Sequence, residues 1–175
     1  SLERIFNEDL GRLVETVTPS FFSEVADHIS KLKGILSGRT LCLVASHGDY
    51  GYGNILVDTR SGQMTGVIDW DTGRMNDLPG VDLVNLLIQK VRSEKGVGVL
   101  EALSEVSSNV VNQGGLDGSG RWEKELLISP DMLPALLHLA CFRYMCRAAT
   151  YPEVFITEQQ DYRKAFDYLH DRVPL

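Results

Sequence analysis

His47-Gly48-Asp49-Tyr50-Gly51-Tyr52-Gly53-Asn54-Ile55-Leu56, followed by Gly66-Val67-Ile68-Asp69-Trp70-Asp71, decides how this chain is read. One carboxylate stands five residues before an Asn, and a second closes the next apolar segment. Ahead of them, Leu41-Cys42-Leu43-Val44-Ala45 is a short continuous apolar run, which predicts a strand buried on both faces. Ser46 to Gly53 then reads as a polar, glycine-rich loop, and Asn54 to Asp58 as a second strand. Asp58-Thr59-Arg60-Ser61-Gly62 has turn chemistry, and Met64 to Ile68 is a third strand. Pairing these last two as a hairpin would set Asn54 beside Asp69.

Such a set suits phosphoryl transfer, which asks for a group serving the attacking hydroxyl and hard oxygens holding Mg²⁺ against phosphates. Asp49 is the candidate for the hydroxyl, as a base or as an orienting acceptor. Asn54 and Asp69 offer one neutral and one charged oxygen for the metal. His47 is expected to organise the loop through its ring nitrogens, and Gly48, Gly51 and Gly53 to permit tight turns beside a ligand. A metal-dependent hydrolase using His47, Asp49, Asp69 and Asp71 is a rival reading. It lacks another well-placed His, because His28, His138 and His170 fall in helical patterns as packing or surface residues. The plainest alternative is two polar turns bounding ordinary strands.

Outside this block the periodicity is helical. Leu10, Leu13, Val14 and Val17 share one spacing, and Thr18-Pro19 interrupts it. Phe21, Phe22, Val25, Ile29, Leu32 and Ile35 resume it, up to a stop at Ser37-Gly38. Asp82 can cap a helix carrying Leu83, Leu86, Leu87 and Val91, and Val97 to Val110 predicts another. Gly114 to Gly120 reads as a surface loop, since no strand precedes its glycines and no Lys-Ser/Thr follows. Ser129-Pro130-Asp131 opens a helix running to about Thr150, with Met132, Leu136, Leu139, Ala140, Phe142 and Met145 as core. On it, Arg143, Tyr144 and Arg147 fit either an acceptor pocket or a helix surface. Thr157 would cap a last helix through Leu169.

The 175 residues suit one well-buried domain, and 43% hydrophobic content with a mean hydropathy of −0.07 is ordinary for a soluble protein. A net charge of −7 argues against general nucleic-acid binding. Cys42, Cys141 and Cys146 lie in apolar segments without a Cys-x-x-Cys pair, so buried reduced thiols are expected. No signal-peptide core opens the chain, and Met132 to Phe142, its longest uncharged apolar stretch, is too short to span a bilayer. A cytoplasmic protein, off the membrane, is the expectation.

His47-x-Asp49-x4-Asn54 resembles the catalytic loop of the kinase-like superfamily, and Ile68-Asp69-Trp70-Asp71 its metal-binding segment. The particular wording is similar to that of the aminoglycoside phosphotransferase and choline kinase family, over about Leu43 to Asp82. Protein kinases fit less well: Gly48 and Gly51 stand where they carry Arg and Lys, Trp70-Asp71 replaces Phe-Gly, and twelve residues between Asp69 and Asp82 leave no long activation loop. The resemblance implies that Asp49 serves the acceptor hydroxyl, with His47 in the same catalytic loop. It also implies that Asn54 and Asp69 bind Mg²⁺ and the ATP phosphates, that Asp71 is a further acidic neighbour, and that Asp82 braces the loop.

The implied fold is α+β and mostly helical: the C-terminal lobe of a kinase-like fold, with a small β-hairpin carrying the catalytic and metal-binding loops. About 40 residues precede the first strand and read as helices, so Lys31 and Lys33 cannot be a strand Lys for the phosphates. A single domain over residues 1–175 is therefore expected, without the N-terminal nucleotide-clamping lobe and with little turnover alone. The expected partners are ATP, Mg²⁺ and a small hydroxyl compound such as an aminoglycoside, amino-sugar or choline-like alcohol. The face left uncovered would favour self-association. The contrasting expectation is a catalytically silent lobe that binds a small molecule or a protein.

Overall fold

In the computed structural model, which describes residues 2–113, 124–149, 151, 163–173 and 175, apolar spacing sets the helices and glycines mark several of their ends. Helix α1 (Leu2–Leu13) buries Ile5, Phe6 and Leu13, while Val14 falls in the following turn and is exposed. Thr18 caps helix α2 (Pro19–Leu36), its Oγ1 accepting from Phe21 N at 3.4 Å, and Pro19 fills the first helical position, where no N–H is needed. The inward stripe of α2 is Phe21, Val25, Ile29, Leu32 and Leu36.

Four short strands follow as two antiparallel pairs. Strand β1 (Val44–Ser46) pairs with β4 (Arg74–Asp77), and β2 (Ile55–Val57) with β3 (Met64–Val67). The turn between β2 and β3 is tied by Asp58, whose Oδ1 accepts from the backbone N–H groups of Arg60 and Ser61, each at 2.8 Å. Strand β1 corrects the expectation of a strand buried on both faces. It is three residues long, Cys42 and Leu43 ahead of it are exposed, and pairing in a two-stranded sheet leaves the run with an open side. Cys42 is therefore not the buried thiol expected.

Helix α3 (Val81–Lys95) starts after Gly80 (φ +86°) and stops at Gly96 (φ +64°), both in the left-handed region. Its buried side is Val81, Val84, Asn85, Ile88 and Val91, so Leu83, Leu86 and Leu87 sit at its margin, half-buried. Helix α4 (Val99–Gln113) packs on α3. A 3₁₀ turn at Pro130–Met132 leads into α5 (Leu133–Ala149), as Ser129-Pro130 predicted. The fifth helix is the hub, packing against α1, α2, α3 and α4 and burying Leu136, Leu137, Leu139, Ala140 and Phe142 almost completely. Burial pushes the Cys141 thiol up to about 12 and Cys146 well above its ordinary value, which fits inert reduced thiols. Helix α6 (163–172) closes on α2 through Phe166, edge-on to Phe21 at 5.7 Å. Gly114 to Gly120 and Thr157 lie outside the described residues.

The architecture is thus mostly helical with two small antiparallel pairs. Among the described residues no helix is long and apolar enough to cross a membrane.

Candidate active site

Beyond β1 the chain turns sharply at Gly48, whose φ of +81° and proximity to Thr72 both demand glycine. A Cβ there would lie 2.7 Å from the Thr72 carbonyl oxygen. The carboxylate of Asp82, on the first turn of α3, clamps this turn: its oxygens accept from His47 N at 2.6 Å and Gly48 N at 2.9 Å. Asp82 consequently does not cap α3, as its position before Leu83 had suggested. The cap residue is Gly80, with no side-chain bond, because the Asp82 side chain is spent on the loop.

His47 is buried and makes no use of solvent. Its Nδ1 accepts from Asp49 N at 3.3 Å, which leaves Nε2 to carry the proton and donate to Ile68 O at 2.8 Å. The ring thereby links the loop to the strand end that precedes Asp69, and it also lies against Trp70, centroids 4.6 Å apart. With both nitrogens engaged, His47 is not placed to ligate a metal, which disfavours the hydrolase reading.

The hairpin supplies the remaining connections. Asn54 Nδ2 donates to Asp49 O at 2.9 Å, and Asn54 O accepts from Ile68 N at 2.9 Å. Asp49, Asn54 and the residue before Asp69 are therefore consecutive members of one hydrogen-bonded junction. Asp69 has φ +66°, a left-handed conformation uncommon for any residue with a side chain, and it is exposed. Asp71 is exposed in the turn from Trp70 to Gly73. Asn54 and Asp69 are hard oxygen donors, and with the Asn54 nitrogen committed to Asp49 O, the Asn54 Oδ1 is the end left for a cation. One carboxylate and one amide, completed by phosphates and water, is a donor set suited to Mg²⁺ rather than to an all-protein cage. Among the described residues, no three His, Cys, Asp or Glu side chains are grouped to hold a metal.

Behind the loop is a set of charges that the sequence reading did not single out as a site. Asp77, fully buried, accepts from both terminal nitrogens of Arg143, from Ser46 Oγ at 2.5 Å and from Leu78 N at 2.7 Å. Burial alone would raise its carboxyl, yet the Arg143 guanidinium and the other donors hold it below the usual range. Asp9 pairs with Arg74 and lies 3.2 Å from Arg143 Nε. Arg143 is thus an interior anchor between α5 and β4, and neither of the two roles open to it from sequence. Arg147, one turn later, pairs with Asp49 Oδ1. A cavity of about 410 Å³ adjoins the loop, with Ser46, His47, Tyr50, Trp70, Asp82 and Leu86 in its wall.

His28 and His138 are buried packing residues, and His170 is exposed. His138 Nε2 must donate to Val173 O (2.7 Å), so its Nδ1 accepts from His28 Nε2 (2.8 Å). Burial, the largest cause, and the neighbouring histidines lower His28 to about 4; burial likewise lowers His138 to about 4.

The Asp-bearing loop, clamped from a helix start, is thus joined to a hairpin that leads into Asp69 and Asp71. The family model described as the phosphotransferase enzyme family, APH, matches residues 14–117, more than half of the chain, and the chain belongs to that family. No curated protein and no solved structure matches it.

Proposed function

We propose that this chain carries the acceptor and metal side of a kinase that moves the γ-phosphate of ATP to a hydroxyl of a small molecule. The admissible acceptors are an aminoglycoside, an amino-sugar or a choline-like alcohol. The observation that carries this reading is the junction Asp49 O to Asn54 Nδ2, Asn54 O to Ile68 N, and Ile68 O to His47 Nε2. It ties the loop that bears Asp49 to Asn54 and to the backbone just ahead of Asp69, at one end of the hairpin.

Bound Mg²⁺ and ATP would supply the reactive phosphoryl group and offset its charge. Asp49 accepts the hydrogen of the acceptor hydroxyl and aims its oxygen at phosphorus. Asn54 and Asp69 would hold the metal, with Asp69 in a left-handed backbone just beyond the hairpin. His47 fixes the distance between the two loops, and Asp82 fixes the turn.

Turnover by this chain alone is expected to be slow. Among the described residues no strand precedes β1, and Lys31 and Lys33 lie on α2, so none of them covers the phosphates from above. Leu56, Val57, Met64, Ile68, Trp70 and Met75 are exposed on and beside the strands, which favours self-association. A single monomeric species in sedimentation at high concentration would count against that expectation.

The test is product formation from Mg²⁺, ATP and a panel of small alcohols, followed by ³¹P NMR at high protein concentration. Phosphorylated alcohol should form slowly, and Asp49→Asn should reduce it by about 100-fold or more. Equal product from both proteins would overturn the assignment. A silent binding lobe is the second reading, favoured by the engagement of Asp49 with Arg147; it predicts acceptor binding by calorimetry with no product.

A further inference from the structure

The backbone of Asp49 is held on both sides, its N–H by His47 Nδ1 and its carbonyl by Asn54 Nδ2. Neither bond sets the carboxylate. That group meets Arg147, whose Nη1 donates to Oδ1. The two residues are 98 positions apart, and their side chains are 25% and 30% exposed. The guanidinium is itself oriented: its carbon lies 5.2 Å from the centre of the Tyr144 ring, and the Tyr144 hydroxyl accepts from Arg92 Nη1 at 2.9 Å.

No cation could reach Asp49 from its own loop. Ser46 to Asn54 contains no Lys or Arg. Gly51, two residues after Asp49, is buried, and a Cβ there would lie 1.9 Å from Gln89 Oε1. The loop has given that space to α3, and the positive charge comes instead from α5.

We propose that Arg147 is a positioning residue for phosphoryl transfer, holding Oδ1 of Asp49 so that Oδ2 is presented to the acceptor hydroxyl. The proposal rests on the kinase reading of the site. A carboxylate accepts through both oxygens, so one can stay with the guanidinium while the other receives the hydroxyl hydrogen. Without the guanidinium the carboxylate turns freely about its side-chain bonds, and the hydroxyl loses its fixed line of attack. The pair also couples the loop to α5, the helix that packs against most of the others.

The experiment compares the unsubstituted chain with Arg147→Met, Arg147→Lys and Asp49→Asn, each checked first by thermal melting. Arg147 is partly exposed, so all are expected to fold. In ¹⁵N spectra the Arg147 side-chain N–H signals should be resolved, and should shift in Asp49→Asn, where the carboxylate charge is gone. Unchanged signals in Asp49→Asn would overturn the pair whether or not the protein turns over, which separates this failure from a failure of the kinase reading. Where product is measured, Arg147→Met should lower kcat about 10- to 100-fold with KM within about threefold, and Arg147→Lys should recover part of the loss. An unchanged kcat would make the pair structural only. A kcat that rises would make Arg147 a latch over the base, and either result overturns the proposal.

Discussion

The two β pairs of this molecule are nearly equal in size and opposite in support. Strands β1 and β4 end in the interior, where Asp77, Arg143, Asp9 and Arg74 tie them to α1 and α5. Strands β2 and β3 expose Leu56, Val57 and Met64, and are joined to the loop that follows β1 chiefly through hydrogen bonds of Asn54 and His47. The first pair fixes where Asp49 begins; the second carries Asp69 out to solvent in a strained backbone. Under the proposed function, this division would give an acceptor side tied to the core and a metal side standing out in solvent.

The contrast breaks most severely at Asp77. Asp77→Ala leaves both terminal nitrogens of buried Arg143 without the carboxylate they share, with Asp9 still near Nε, and should cost about 3 kcal/mol in urea unfolding, whereas Leu56→Ala should cost less than about 1 kcal/mol. Gly48→Ala puts a side chain at φ +81° against Thr72, and should cost about 2 kcal/mol together with loss of product formation.

Acid should act where α2 packs on α5, outside both β pairs. His28 and His138 are held neutral, with values near 4 against 6.5 when unfolded, so the unfolded chain takes up the protons between those limits. Stability is full above pH 6.5 and falls as pH drops toward 4, and His28→Leu should reduce that slope by about half. The smallest effect sharpens the comparison from the other side. Asp69→Gly relieves the left-handed strain and should stabilise the fold by about 1 kcal/mol in the same unfolding assay, while abolishing any metal-dependent nucleotide binding.

Much of the hairpin side was legible because its chemistry is contiguous. Asn54 to Asp69 spans one turn, and the glycines and Asp58 announce that turn directly. Helical periodicity similarly placed α2 and α5. The anchored side was not legible, because its residues are paired only by tertiary packing. Asp9, Arg74, Asp77 and Arg143 are scattered over 135 positions and look like surface charges until the helices bury them. Strand β4 reads Arg-Met-Asn-Asp, which carries no alternating apolar pattern. The pairing of Arg147 with Asp49 is hidden for the same reason. On α3, the leucines drew attention, but the β-branched Val84 and Ile88 face the core. Cys42 and Leu43 were misread because an apolar run does not report how many strands flank it.

The most direct test of the central claim, that Asn54 and Asp69 form the metal side of an ATP site, is calorimetric titration of Mg²⁺ and ATP into this chain and into Asp69→Ala. The account predicts nucleotide binding that requires Mg²⁺ and disappears in Asp69→Ala while the variant stays folded. Binding of equal strength in both proteins, or binding indifferent to Mg²⁺, would contradict it.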